Sequence, residues 1–318
     1  MFDSTGGPGK LTVRNLAPDV FSALTELASL HDRSLEAEAR QAIRAWVQPQ
    51  LTREGSAGRA LAVGQRLSYL LAEANQFASG RPVTVSKIAE LAAYTHAGDL
   101  EDWFAGDEEP AFSDLERISS VLGCSRTWLV HGDGNPYRAE YTRIPEDPPA
   151  AAAWFLRPAL DGGAPPELSL LRSTSAAGEF ALVKHHSALS AQTFHTPYHL
   201  SDKVGAGGET SQVWLALGLQ ALHREFAARG EVLVKGYLVE PTVFSQLLEG
   251  RKHPLNVLND ARVASSPWWE DIWDEEQFGR GNYWDGWDAL VRRIQRHIGL
   301  SRPMAESRAL LQSGAGRI

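Results

Sequence analysis

The sequence predicts a multidomain α+β protein, and three observations carry that prediction. Its 318 residues exceed one ordinary domain, at roughly 100 to 200 residues each. The apolar periodicity changes along the chain from a brief period of two, through long stretches of helical spacing, to a mixture of both. Three breaks rich in Gly, Pro or polar residues punctuate it, at Gly6-Gly7-Pro8-Gly9, Pro49 to Gly58 and Pro145 to Pro166. The expected layout is a flexible arm at 1–9, a small strand-and-helix unit at 10–48 and an all-α unit at 60–138. A semi-stiff Pro/Ala-rich linker at 139–166, with room for a short helix, then leads to an α+β unit at 167–318.

Hydrophobic residues at 43% and charged residues at 22% are values of a globular chain and exclude collagen, coiled coil and wholesale disorder. The longest nearly unbroken apolar run, Val213 to Leu219, is far short of the roughly 18 residues that cross a bilayer. The N-terminal residues have neither the basic start nor the apolar core of a secretory signal, and a lone Cys124 forms no internal disulfide. A cytoplasmic setting is therefore expected. The net charge of −8 argues against a broad nucleic-acid surface, since neutralising phosphates takes clustered Lys and Arg. The excess sits in the middle: residues 51–140 carry 8 basic and 13 acidic side chains, residues 1–50 only 5 and 6. Any DNA contact is thus expected from a small patch in the near-neutral N-terminal segment.

Lys10-Leu11-Thr12-Val13-Arg14 alternates polar and apolar residues, the pattern of a short half-buried strand with Lys10, Thr12 and Arg14 on one face. Pro18 suits the first position of a helix whose apolar residues are Val20, Phe21, Leu24, Leu27 and Ala28. Ser34 is a good N-cap for a second helix carrying Leu35, Ala39, Ala42, Ile43, Trp46 and Val47. Glu38 stands one position too late for a capping box. Some 40 residues bury too little surface to fold alone, and one strand has no partner for its hydrogen bonds. Two chains about a two-fold axis solve both problems by pairing their strands into a ribbon.

In this order and spacing the segment resembles a ribbon-helix-helix DNA-binding domain of the FitA and Arc type. The stretches that carry the likeness are Leu11-Thr12-Val13-Arg14-Asn15-Leu16 and Arg33-Ser34-Leu35-Glu36-Ala37-Glu38-Ala39-Arg40. The resemblance implies a homodimer, or a higher even oligomer, whose ribbon enters the major groove of double-stranded DNA. Lys10, Thr12 and Arg14 would then read bases, Arg14 most strongly because a guanidinium bonds a guanine edge in bidentate fashion, and Asn15 would join them as a DNA-binding residue. Arg33 and Ser34 would hold a phosphate at the start of the second helix. Related domains also act as antitoxins that bind a toxin and repress their own operon.

Residues 60–138 show helical spacing at Leu61, Val63, Leu67, Leu70 and Leu71, at Val83 to Ala92 with Thr84 as cap, at Leu100, Trp103 and Phe104, and at Phe112, Leu115, Ile118 and Leu122. With Trp128-Leu129-Val130-His131-Gly132 as its close, the segment resembles an XRE/Cro-type helix-turn-helix fold. Its turn between Ala89 and Leu100 is about one residue longer than usual for that family, and its recognition position offers Asp99, Glu101 and Asp102. Carboxylates repel phosphates, so a dimerisation or partner-binding module is the favoured reading. Arg81, Lys87, Tyr94 and His96 are the residues available to meet a DNA backbone.

Beyond 167 the periodicity predicts strands at Leu168 to Arg172, Phe180 to Lys184, Gln192 to Tyr198 and Val232 to Val239, with helices at Gln212 to Arg229 and Pro241 to Glu249. This unit is expected to bind a partner protein or a small-molecule effector. Trp268, Trp269, Trp273, Trp284 and Trp287 make up half of the ten tryptophans, and core or interface packing is preferred to a ligand pocket for them. His185, His186, His195 and His199 fall close together, but Thr196-Pro197 favours extended chain and no zinc-type spacing appears. Gly205-Ala206-Gly207-Gly208 lacks the Lys of a phosphate loop and reads as a turn before a helix. With no nucleophile elbow, paired carboxylates or Cys/His signature, no catalysis, metal or cofactor is expected.

Overall fold

A computed structural model describes residue 13 and residues 16–31, 33–78, 80–159, 163–230, 232–274, 276 and 281–313, without the side chains of 44–57, 206 and 227–229. Contacts divide it into two compact units, Met1–Arg59 and Ala60–Ile318. The first holds α1 (Pro18–Leu30) and the start of α2 (Leu35–Phe77). The polar joint expected at 49–58 lies inside α2. Its Arg, Glu, Ala and Leu are strong helix formers, so a polar stretch there extends a helix as readily as it breaks one.

The second unit opens with the end of α2, followed by α3 (Val85–Leu91), α4 (Gly98–Ala105), α5 (Phe112–Leu122) and α6 (Arg126–His131). Val63, Leu67, Leu70, Ile88, Leu100, Leu115, Ile118, Leu122 and Leu129 meet in one buried cluster. Thr84 caps α3 as its sequence position suggests, its Oγ1 accepting from the Lys87 N–H at 3.2 Å. In the turn after α3 an exposed alanine, Ala93, adopts φ +57°. A left-handed Cβ meets its own carbonyl and costs about 1 to 2 kcal/mol, part of which glycine's extra chain entropy offsets. Ala93→Gly is therefore expected to raise stability by about 0.5 to 1 kcal/mol in a denaturant titration; a loss of stability would sink this account of the turn.

A six-stranded sheet follows, in the order β1-β4-β3-β2-β5-β6. Strands β2 (Glu167–Ser173), β3 (Glu179–His185) and β4 (Ala191–His199) form an antiparallel meander. Helix α8 (Ala206–Arg229) then carries the chain across to β5 (Val234–Val239), parallel to β2, and β6 (Val263–Ser265) closes that edge. The short β1 (Glu140–Tyr141) lies parallel to β4 at the other edge. One face packs Leu168, Leu170, Phe180 and Leu182 with residues of α7 (Pro148–Phe155), α8 and the helix Trp287–Leu300. The other packs Leu171, Ala181 and Val183 with Val243, Phe244 and Leu247 of α9 (Pro241–Glu249) and Val257 of α10 (Pro254–Leu258). Burial on both faces explains why β2 and β3 read as near-continuous apolar runs.

The span 139–166, expected as a linker, is built into this body: β1 joins the sheet and α7 packs along α8. Pro148 occupies the first turn of α7, and Asp147 caps it by accepting from the Ala150 N–H at 2.9 Å. Ala151 and Ala152 are fully buried, which permits close helix approach. Trp268, Trp269 and Trp287 are core, and Arg172 stacks its guanidinium 4.0 Å from the Trp284 ring. The helical segment and the sheet are also joined through α2 and the start of α10. Glu73 Oε2 accepts from the His253 N–H at 2.7 Å and from Asn256 Nδ2 at 2.9 Å, and the His253 ring stacks on Phe77 at 4.3 Å. The Tyr137 N–H donates to the Gly250 carbonyl at 2.8 Å. Gly250 has φ +67°, and a Cβ there would overlap the Tyr137 carbonyl.

Candidate nucleic-acid interface

The corner between α1 and α2 is fixed by local chemistry. Pro18 stands at the first helical position of α1. At the far end the Arg33 N–H donates to the Ala28 carbonyl at 2.9 Å. Ser34 Oγ accepts from the Ala37 N–H at 3.2 Å, the cap its sequence position predicts. Glu38, too late for a capping box, clamps the corner instead. Its carboxylate meets His31 Nδ1 at 2.9 Å and Arg33 Nη1 at 3.4 Å while itself nearly buried. Nothing in the sequence pattern beyond its proximity to His31 and Arg33 marks this role. Arg33 thus reaches the helix start already held, with half of its side chain open to solvent.

The first backbone N–H groups of any helix lack partners within it and face outward with the positive end of the helix dipole. Arg33 beside that end of α2 makes an anion-favouring corner, against which Glu36 and Glu38 in the first turn act. Lys10, Thr12, Arg14 and Asn15 lie outside the described residues, as does the arm at 1–9. Of the strand expected at 10–14, Val13 alone is described, and it is exposed.

Over residues 16–43, which hold α1 and the first turns of α2, Val20, Phe21, Leu27, Leu30 and Ile43 are 42 to 78% exposed, and Ala28 is the one apolar side chain buried among the described residues of that stretch. Scattered exposed apolar residues are ordinary, but a helix face exposed along its length indicates a partner surface.

The second set of expected DNA residues is arranged differently. Lys87 Nζ is paired with Glu90 Oε2 at 2.8 Å. The Tyr94 hydroxyl donates to Asp114 Oδ1 at 2.8 Å, under the Arg117 guanidinium at 4.1 Å from its ring centre. Burial, with the Asp114 carboxylate beside it, pushes the Tyr94 hydroxyl up to about 12. Arg81 and His96 are exposed, and so are Asp99, Glu101 and Asp102 on α4.

The clustered histidines take separate roles. His185 Nε2 bonds Ser169 Oγ at 2.9 Å, while His195, on the extended β4, meets Tyr141 edge-on at 5.9 Å between ring centres. Among the described residues no three His, Cys, Asp or Glu side chains converge to hold a metal ion. No helix among them is long and apolar enough to cross a membrane.

Residues 10–47, the segment that holds this helix corner, match a family of ribbon-helix-helix domains. The particular family is that described as antitoxin FitA-like, ribbon-helix-helix. No curated protein and no solved structure matches the chain.

Proposed function

We propose that the protein is a dimeric, sequence-specific DNA-binding regulator that acts by binding and not by catalysis. Its N-terminal ribbon would read an inverted repeat in the major groove. The observation that carries this reading is the match of residues 10–47 to the ribbon-helix-helix family. The exposed apolar residues of α1 and of the first turns of α2 support it, because a second copy is the partner that completes such a unit. In this reading Arg14 recognises guanine with Lys10, Thr12 and Asn15 beside it, and Arg33 and Ser34 hold a phosphate. The helix-turn-helix-like segment at 60–138 serves as a body for dimer or partner contacts, since α4 presents carboxylates where a DNA reader needs cations. The α+β part receives an effector and alters operator occupancy.

The test is fluorescence anisotropy on the DNA upstream of the protein's own gene, across a salt series, with wild type and Arg14→Ala. Specific binding is expected to weaken by about 1 to 3 kcal/mol in the variant, roughly five- to 150-fold, with folding intact. Unchanged operator affinity would remove the ribbon from the account. A second reading is favoured by the matched family's antitoxin description: the chain holds a toxic partner and represses its own operon. Its distinguishing result is a stable complex with the product of the adjacent gene.

A further inference from the structure

A cleft of about 970 Å³ opens where the end of α5 and the segment Pro136 to Tyr141 face the hairpin between β3 and β4. That volume is in the range of pockets that enclose a drug-sized molecule, and junctions between two packed bodies are a preferred place for them. Two of its lining residues carry buried polar atoms without a partner, Thr193 Oγ1 and His186 Nε2. Thr193 is 1% exposed. An unsatisfied buried hydroxyl is costly and uncommon in folded proteins, and a ligand that bonds it removes the cost.

The charges around the cleft select the ligand. Glu116 is tied to Arg126 at 2.5 Å, and Glu140 accepts from Gln192 Nε2 at 2.8 Å. Arg138 is the lining cation for which no ion pair is found among the described residues. One unspent guanidinium matches a single negative charge, and a planar carboxylate fits its two parallel N–H donors. A dianionic phosphate would face two nearby carboxylates with only that one cation to oppose them. Pro136, Pro158 and the exposed Tyr141 are among the lining residues and supply apolar surface suited to a ring. Burial pushes the Cys124 thiol, which also lines the cleft, up to about 12, so it stays protonated and unreactive.

We propose that this cleft binds an aromatic monocarboxylate, its carboxylate on Arg138 and a polar group on Thr193 or His186. The ligand would bridge α5 to the β3–β4 hairpin. The proposal deepens the effector reading above, and its test uses no DNA, so that its failure and the failure of operator binding are separate results.

Isothermal titration calorimetry of the full chain would compare 1-naphthylacetate with its neutral amide and with 1-naphthyl phosphate. The acetate is expected to bind saturably, and the amide and phosphate at least tenfold more weakly. Arg138→Gln, a change to an exposed side chain, should weaken the acetate at least tenfold and leave the amide unchanged. Thr193→Val should weaken it severalfold, with circular dichroism confirming that both variants fold. Absence of saturable binding by the acetate would overturn the proposal. So would equal affinity for the amide, tighter binding of the phosphate, or indifference to Arg138→Gln.

Discussion

Glu73→Ala is expected to lower the unfolding free energy of the Ala60–Ile318 unit by about 2 to 5 kcal/mol. The figure follows from what truncation leaves behind. Two donors, the His253 N–H and Asn256 Nδ2, lose the carboxylate oxygen that they share at 2.7 and 2.9 Å, and each buried donor left unsatisfied costs about 1 to 3 kcal/mol. His253 is 1% exposed and Glu73 4%, so water does not readily replace the lost acceptor. Asn256 retains one bond, to the Glu73 backbone carbonyl at 2.9 Å. Glu73→Gln, which keeps an acceptor oxygen, should lose roughly 1 kcal/mol, the ordinary worth of one hydrogen bond. Guanidinium titration followed by tryptophan fluorescence reads both. The wild type should unfold in one transition, because this joint ties the last turns of α2 to the start of α10. A Glu73→Ala variant within 0.5 kcal/mol of wild type would show that the joint does not hold the two bodies together.

This joint also marks the limit of what the sequence makes legible. Local signals are sufficient for the elements: the short apolar runs in Leu168 to Arg172 and Phe180 to Lys184 give β2 and β3, and Pro241 marks the first turn of α9. The caps Thr84 and Ser34 form as their positions predict. What depends on residues far apart is not legible. Glu73 and His253 are separated by 180 residues, and no period or spacing connects them. The prolines between 145 and 166 suggest a linker because a Pro count does not distinguish extended chain from a helix start. Asp147 before Pro148 is such a start, and its confirmation is tertiary, in the burial of Ala151 and Ala152. For the DNA interface the opposite holds. The order of strand, Pro18 and Ser34 identifies the ribbon-helix-helix segment from sequence, and the family match agrees. The part of it that structure adds is the Glu38 clamp on His31 and Arg33. The cleft beside Arg138 is invisible in sequence for the same reason as the joint, since its lining comes from Leu91, from residues between 116 and 141, from Pro158, Ala159, Gly163 and Ala164, and from residues between 186 and 193.

Acid should destabilise the Ala60–Ile318 unit well above the pH at which carboxylates titrate, and His253 is the reason. Its Nδ1 lies 3.2 Å from the Leu255 N–H and accepts from it, while Nε2 lies 3.2 Å from the Leu189 carbonyl and must donate. That pair of bonds fits only the neutral ring protonated at Nε2. A second proton on Nδ1 would point at another donor, in a place where Phe77 and Tyr137 exclude water. Burial, opposed by the bond to the Leu189 carbonyl and reinforced by His185, brings His253 down to about 3. His185 is brought down to about 4, by burial first and then by Lys235 and His186. Between these values and the unfolded value near 6.5 the unfolded chain binds protons that the folded one refuses. The stability contributed by the neutral rings is therefore complete above about pH 6.5 and is lost as pH falls toward 3, with His253 alone adding a slope of roughly 1 kcal/mol per pH unit. His253→Asn keeps an acceptor for the Leu255 N–H and removes the titration. The variant should be less stable at pH 7, because the ring contacts are lost, yet its stability should fall less steeply between pH 6 and 4. Carboxylates contribute equally to both proteins, so the difference in slope isolates the ring. Parallel curves for wild type and variant would mean that His253 takes up its proton without disturbing the joint.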